Sequence, residues 1–145
     1  MNKLALGTVQ FGLDYGITNS TGKVQIREVA SILEYAKEKN INVLDTASSY
    51  GNSEEVLGKI GINHFQIVTK TTSINNGINK VIESFYQSLK NLNQQKVDGL
   101  LIHNIEEVKH EQFDVLFKKL TGLKQQGLID KIGFLLILQN KLIFC

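Results

Sequence analysis

Apolar and polar positions along this chain fall into short β-like runs separated by longer helical stripes. Leu4–Gly7 is a short apolar run closed by glycine. A loop rich in Gly, Asn, Ser and Thr follows over residues 8–23. Ile26, Val29, Ala30, Leu33 and Ala36 then recur at helical spacing. Lys37 and Lys39 sit near the end of that stripe, where the helix dipole favours cations, and Asn40 is a suitable stop. Ile41–Leu44 reads as a second strand that ends at Asp45. Asn52 or Ser53 is placed to cap a short helix running to Ile60, with Glu54 and Glu55 in its first turn. Asn52 and Glu55 also have capping-box spacing. Phe65–Thr69 is a third strand, ending at Lys70, and Ile78, Val81, Ile82, Phe85, Leu89 and Leu92 form the next stripe. Val97–Ile102 is a fourth strand, ending at His103. Phe113, Leu116, Phe117, Leu120 and Leu123 mark the last long helix, which Gly127 stops, and Lys131–Phe134 opens a fifth strand.

Strand and helix thus alternate about four times, which predicts a parallel sheet with helical crossovers. No linker, low-complexity tract or repeat interrupts the pattern. Two architectures fit it: an open doubly wound sheet, or part of a (β/α)8 barrel. A whole barrel typically needs about 250 residues, and this chain has 145. Periodicity leaves both open.

Composition narrows the partners more than the fold. Sixteen Lys and Arg against 14 Asp and Glu leave a net charge of +2, with the basic residues scattered. Neither nucleic acid nor an anionic membrane is expected as a partner. Cys145 is the single cysteine, so no internal disulfide can form, which fits a reducing cytoplasm. The opening Met1–Leu4 lacks the apolar segment of a secretory signal. No run approaches the roughly 18 apolar residues of a spanning helix. The most apolar stretch, Phe134–Leu138, is followed by Gln139, Asn140 and Lys141 and reads as a strand or an apolar tail. A cytoplasmic protein is the expectation.

Several common sites are absent. No Gly-x-Gly-x-x-Gly opens a helix, and no Gly-x-Ser-x-Gly elbow occurs. Gly16 to Gly22-Lys23 is one residue too long for a phosphate loop, with Val24 where a magnesium-binding hydroxyl should stand. His64, His103 and His110 are far apart, and no cysteine pair exists, so no metal site is expected. His64 and His110 read as surface or turn residues.

Four polar residues remain. Asp45, Lys70 and His103 each follow an apolar strand, and Tyr50 lies five residues past Asp45. In parallel α/β folds, chemistry gathers beyond the carboxyl ends of the strands. The residue types are coherent as a set. An ordinary tyrosine is a poor proton donor at neutral pH, and a nearby ammonium stabilises its phenolate. Lys70 can supply that ammonium, Asp45 can hold Lys70, and His103 can orient a carbonyl oxygen. Each also has a plain structural reading: a turn cap, a solvated lysine, a structural histidine, a packing tyrosine.

The strings around these residues decide between the readings. Leu6-Gly7-Thr8-Val9-Gln10-Phe11-Gly12 resembles the first-strand motif of the aldo-keto reductases. Asp45-Thr46-Ala47-Ser48-Ser49-Tyr50-Gly51-Asn52-Ser53-Glu54, followed by Leu57-Gly58, is similar to that family's most diagnostic segment. Val68-Thr69-Lys70 resembles the motif carrying the family lysine, and Asp98-Gly99-Leu100-Leu101-Ile102-His103-Asn104 the one carrying its histidine. The resemblance covers about residues 3 to 134. It implies a partial TIM (β/α)8 barrel of about four βα units plus a fifth strand. It also implies NADPH-dependent reduction of a small aldehyde or ketone. In that scheme Tyr50 is the general acid, Lys70 assists its ionisation, Asp45 pairs with Lys70, and His103 orients the carbonyl. Gly7, Thr8 and Asp45 would lie against the nicotinamide end of NADPH, with Asn104 continuing the wall beside His103.

The chain departs from the pattern at its end. Ile132-Gly133-Phe134 is followed by Leu135 where the family has serine, and residues beyond do not look like the family. The expected division is residues 1–134 as the N-terminal half of a barrel and residues 135–145 as an apolar tail, as in a truncated or frameshifted reading frame. The later strands, which supply most of the family's cofactor contacts, have no counterpart. A half barrel exposes two strand edges and an apolar inner face, so self-association is expected. Alternatives to a reductase are a non-catalytic half-barrel, either relic or interaction module, and an unrelated flavodoxin-like binding domain. Phe11, Tyr15 and Ile17 can line a substrate mouth or pack within their loop; both readings stand.

Overall fold

Each strand of the sheet bonds to the next strand in the chain. The computed structural model describes residues 4–136. Its strands are β1 (Leu6–Gly7), β2 (Val43–Asp45), β3 (Gln66–Lys70), β4 (Val97–Ile102) and β5 (Ile129–Phe134). They lie in the order β1-β2-β3-β4-β5, and every neighbouring pair is parallel. A doubly wound sheet would reverse its order at a switch point. No reversal occurs here, so the chain is an α/β partial barrel.

The helices are α1 (Val9–Gly12), α2 (Ile26–Glu38), α3 (Ser53–Ile60), α4 (Ile78–Leu92) and α5 (Phe113–Gln125). The longer ones bury the faces that the apolar spacing marks. Val29, Leu33 and Ala36 of α2, Val81, Phe85, Leu89 and Leu92 of α4, and Leu116, Leu120 and Leu123 of α5 are all buried. All of these except Ala36 share one core with Leu44, Ile67, Leu100, Ile102 and Ile129 from the strands. Fully burying each such side chain contributes about 1.5–3 kcal/mol. The alternate strand positions Val43, Val68 and Leu101 line a groove of about 470 Å³ on the other face of the sheet. No helix among the described residues is long and apolar enough to cross a membrane.

The structure shifts several sequence-based expectations. Asp45 and Lys70 are the last residues of β2 and β3 rather than the first residues beyond them. β5 begins two residues early, because Ile129 is buried and pairs with Val97. The loop over residues 8–23 contains α1, too short to show a helical period; burial of Phe11 pins it. The capping box does not form. Asn52 is the first flanking residue of α3, but its side chain makes no cap bond and instead accepts from Lys23 Nζ. Short 3-10 turns at Ile74–Asn76 and Ile105–Lys109 were also not evident, and Ser73 and Asn104 cap them. The expected apolar tail lies almost wholly outside the described residues.

Candidate active site

Strand ends β2 and β3 bring three of the four expected residues together. Lys70 Nζ donates to Asp45 Oδ1 at 2.7 Å and to the Thr46 carbonyl at 2.8 Å. The same ammonium stands 4.7 Å from the centre of the Tyr50 ring. Register explains the pairing. Asp45 is level with Val68, and Lys70 lies two residues further along β3. Lys70 is buried, whereas the Asp45 carboxylate keeps partial access to solvent. A buried ammonium needs such partners, since an unpaired buried charge is costly.

Tyr50 is held by its backbone. Its N–H donates to the Ala47 carbonyl, and its own carbonyl accepts from the Ser53 N–H. Gly12 closes on the same turn: a Cβ there would stand 1.8 Å from the Tyr50 carbonyl oxygen. Below the turn, three buried hydroxyls tie β1, β2 and α3 together. Ser53 Oγ donates to Thr8, Thr8 Oγ1 donates to the Asp45 carbonyl, and Thr46 Oγ1 lies 3.4 Å from Ser53 Oγ.

His103 follows β4 two residues beyond Leu101, the register partner of Lys70. Its backbone N–H donates to Thr71 Oγ1 at 3.3 Å. Among the described residues no hydrogen bond joins its ring to Asp45, Tyr50 or Lys70, and its ring is half-buried. It stands beside the trio without being locked to it.

The four positions expected to face a cofactor divide. Gly7 is exposed, pairs with Asp45 in register, and has open space where a Cβ would project. That suits close approach of a ligand to the β1–β2 rim. The Thr8 side chain is fully buried and committed to Asp45 and Ser53. Asn104 spends its carboxamide oxygen on the Glu106 N–H and lines a separate cleft of about 310 Å³ with Ser73, Glu107 and His110. In the loop before α2, Phe11 is buried, whereas Tyr15 and Ile17 are exposed. Packing therefore accounts for Phe11 only.

Glu54, in the sequence a first-turn acid and the end of the Asp45–Glu54 segment, has a further role in the structure. It is 3% exposed, and Thr69 Oγ1 donates to its Oε1 at 2.8 Å. Burial pushes its carboxyl above the ordinary value of 4.5, and bonds from Thr69 and Ser88 partly oppose the rise. A signal existed: Glu54 shares a helical face with the buried Leu57.

Comparison with known proteins agrees with this geometry. The sequence profile of the aldo/keto reductase family matches residues 3–135. Among solved structures, a Pseudomonas aeruginosa protein named as an aldo-keto reductase aligns with TM-score 0.77 and 31% identity, over 90% of this chain and 54% of that one. A thermostable aldo-keto reductase crystallised with the inhibitor epalrestat aligns with TM-score 0.71 and 27% identity, over 92% of this chain and 49% of that one. The Bombyx mori aldo-keto reductase in complex with NADP shares the fold, with TM-score 0.65 and 24% identity over 90% of this chain and 45% of that one. No curated protein matches the chain. The chain thus spans about half the length of the solved structures that it resembles. Sequential parallel strands, a lysine clasped between Asp45 and Tyr50, and a profile match over residues 3–135 converge on one conclusion: the chain belongs to the aldo/keto reductase family.

Proposed function

We propose that this chain supplies the proton-transfer side of an NADPH-dependent carbonyl reduction. The observation that carries this reading is the position of Lys70 Nζ, 2.7 Å from Asp45 and 4.7 Å from the Tyr50 ring centre. NADPH, when bound, would supply the hydride for the carbonyl carbon. Tyr50 donates its phenolic proton to the carbonyl oxygen, forming the alcohol O–H. The phenolate left behind is stabilised by the Lys70 ammonium and regains a proton from solvent. Asp45 holds the Lys70 ammonium in place, and His103 orients the substrate oxygen. Gly7 and Asp45, register partners on one rim, would hold the nicotinamide end of the cofactor. A small aldehyde or ketone is the substrate class, and the setting is the cytoplasm.

The test is NADPH oxidation with 4-nitrobenzaldehyde as a probe carbonyl. Tyr50→Phe should abolish turnover and leave NADPH binding, followed by fluorescence titration, unchanged. Equal turnover in that variant removes Tyr50 from its role.

A second reading is a non-catalytic half-barrel module that associates through its inner face. The open groove on that face, where Val43, Val68 and Leu101 stand with Asp98, Asp130 and Lys131, favours it. A folded sample that binds no NADPH, and that light scattering finds self-associated, would support this reading over the first.

A further inference from the structure

Glu54 is a buried carboxylate for which the proposed chemistry has no use. It lies one residue after Ser53, whose N–H holds the Tyr50 carbonyl. Its Oε1 accepts from Thr69 Oγ1 at 2.8 Å. Thr69 immediately precedes Lys70 in β3 and turns its side chain into the core, away from the strand face that carries Lys70. Ser88 of α4 is buried too, and its hydroxyl favours the ionised form of Glu54. One carboxylate therefore joins the start of α3 to the end of β3. The covalent and hydrogen-bonded path runs Tyr50, Ser53, Glu54, Thr69, Lys70.

Packing alone does not account for a carboxylate here. Replacing buried ionic groups by apolar residues of similar volume is often neutral or stabilising. What an apolar side chain cannot do is accept from the Thr69 hydroxyl on the neighbouring strand. The spacing of Lys70 from Tyr50 depends on how far β3 extends relative to the turn that precedes α3. Glu54 bridges those two segments.

We infer that Glu54 is a positioning residue, which acts through Thr69 to hold the Lys70 ammonium against the Tyr50 ring. The inference rests on the reductase reading of the Asp45–Tyr50–Lys70 site. Misplacing a catalytic group by about 1 Å from outside the reacting atoms costs up to ~10²-fold in rate. Glu54→Gln keeps an acceptor oxygen, and Glu54→Ala removes it. Thr69→Val removes the donor with little change of shape, and so carries the test if Glu54→Ala does not fold.

The experiment measures NADPH oxidation with 4-nitrobenzaldehyde for the full chain and the three variants. It also records the lysine ammonium signals of 15N-lysine-labelled protein, with Lys70 assigned by its loss in Lys70→Met. Glu54→Ala and Thr69→Val should lose about tenfold in kcat, with KM for NADPH within about twofold, and Glu54→Gln should retain most activity. Unchanged kcat in folded Glu54→Ala and Thr69→Val overturns the inference. If the unmodified chain shows no turnover, the reductase reading fails and the spectrum decides the positioning. A Lys70 signal displaced in Glu54→Ala and Thr69→Val but kept in Glu54→Gln supports it, and a signal unmoved in all three overturns it.

Discussion

Gly12 and Tyr50 touch backbone to backbone: a Cβ on Gly12 would stand 1.8 Å from the Tyr50 carbonyl oxygen. The contact is reciprocal through the next residue. Gly51 has φ +57°, and a Cβ there would lie 2.4 Å from the Gly12 carbonyl oxygen. α1 and the turn carrying the proposed acid are therefore set against each other with no side chain between them. Gly12→Ala forces one backbone to move. Overpacking of this kind costs about 1–3 kcal/mol. The urea midpoint should fall by a corresponding amount, and carbonyl reduction should fall with it as the Tyr50 turn shifts. A variant with the parent midpoint would mean that the two segments separate freely.

Lys70→Met tests the pair at the centre of the site. The substitution leaves the Thr46 carbonyl without its partner, whereas the Asp45 carboxylate is open enough to be hydrated. The stability cost should thus be about 1–2 kcal/mol, below the 3–5 typical of a broken, fully buried pair. Carbonyl reduction should fall by about 10²-fold or more, because the phenolate loses its neighbouring cation. Denaturation and turnover measured on one sample separate the two effects. Equal turnover would place the active ammonium elsewhere.

Glu54 should write a pH dependence into stability. Burial raises its carboxyl above 4.5 in the folded state, so between that value and the folded one the native protein holds more proton than the unfolded chain. Stability then decreases as pH rises through this window and levels off above it. Glu54→Gln removes the titration. The difference in unfolding free energy between variant and parent should therefore move in favour of the variant as pH rises through the window. A difference independent of pH would show that Glu54 does not ionise there.

Asp98 replaces a ladder acceptor at the edge of the β3–β4 pairing. Its Oδ2 accepts from the buried Ile67 N–H at 2.8 Å. Asp98→Ala should leave that donor unsatisfied, at a cost of about 1–3 kcal/mol. Asp98→Asn keeps an acceptor and should cost less. Amide exchange at Ile67 reports on the site directly: it should accelerate in Asp98→Ala beyond the change in global stability. Parent-like protection would mean that another group takes the proton.

The alternation of strands and helices, the family, and the residue types of the proposed site were all legible in the sequence. Each depends on local information. A buried helix face repeats every three or four residues, and the segment from Asp45 to Glu54 is contiguous. Periodicity left the order of the strands open, because it records which face is buried but not which strand lies alongside; only the family motifs pointed to the sequential order of a barrel. The clasp of Lys70 by Asp45 spans 25 residues, and the hydroxyl contact between Ser53 and Thr8 spans 45. Such contacts are set by register across the sheet, which spacing does not encode: the Asp45–Lys70 pair was expected from residue chemistry and the family motifs, and the Ser53–Thr8 contact not at all. Glu54 shows the division most clearly. Sequence placed it in the first turn of a helix, as an acid that suits the dipole. Only the packing of α3 and α4 onto β3 turned it inward, excluded water from its carboxylate, and gave it Thr69 as a partner.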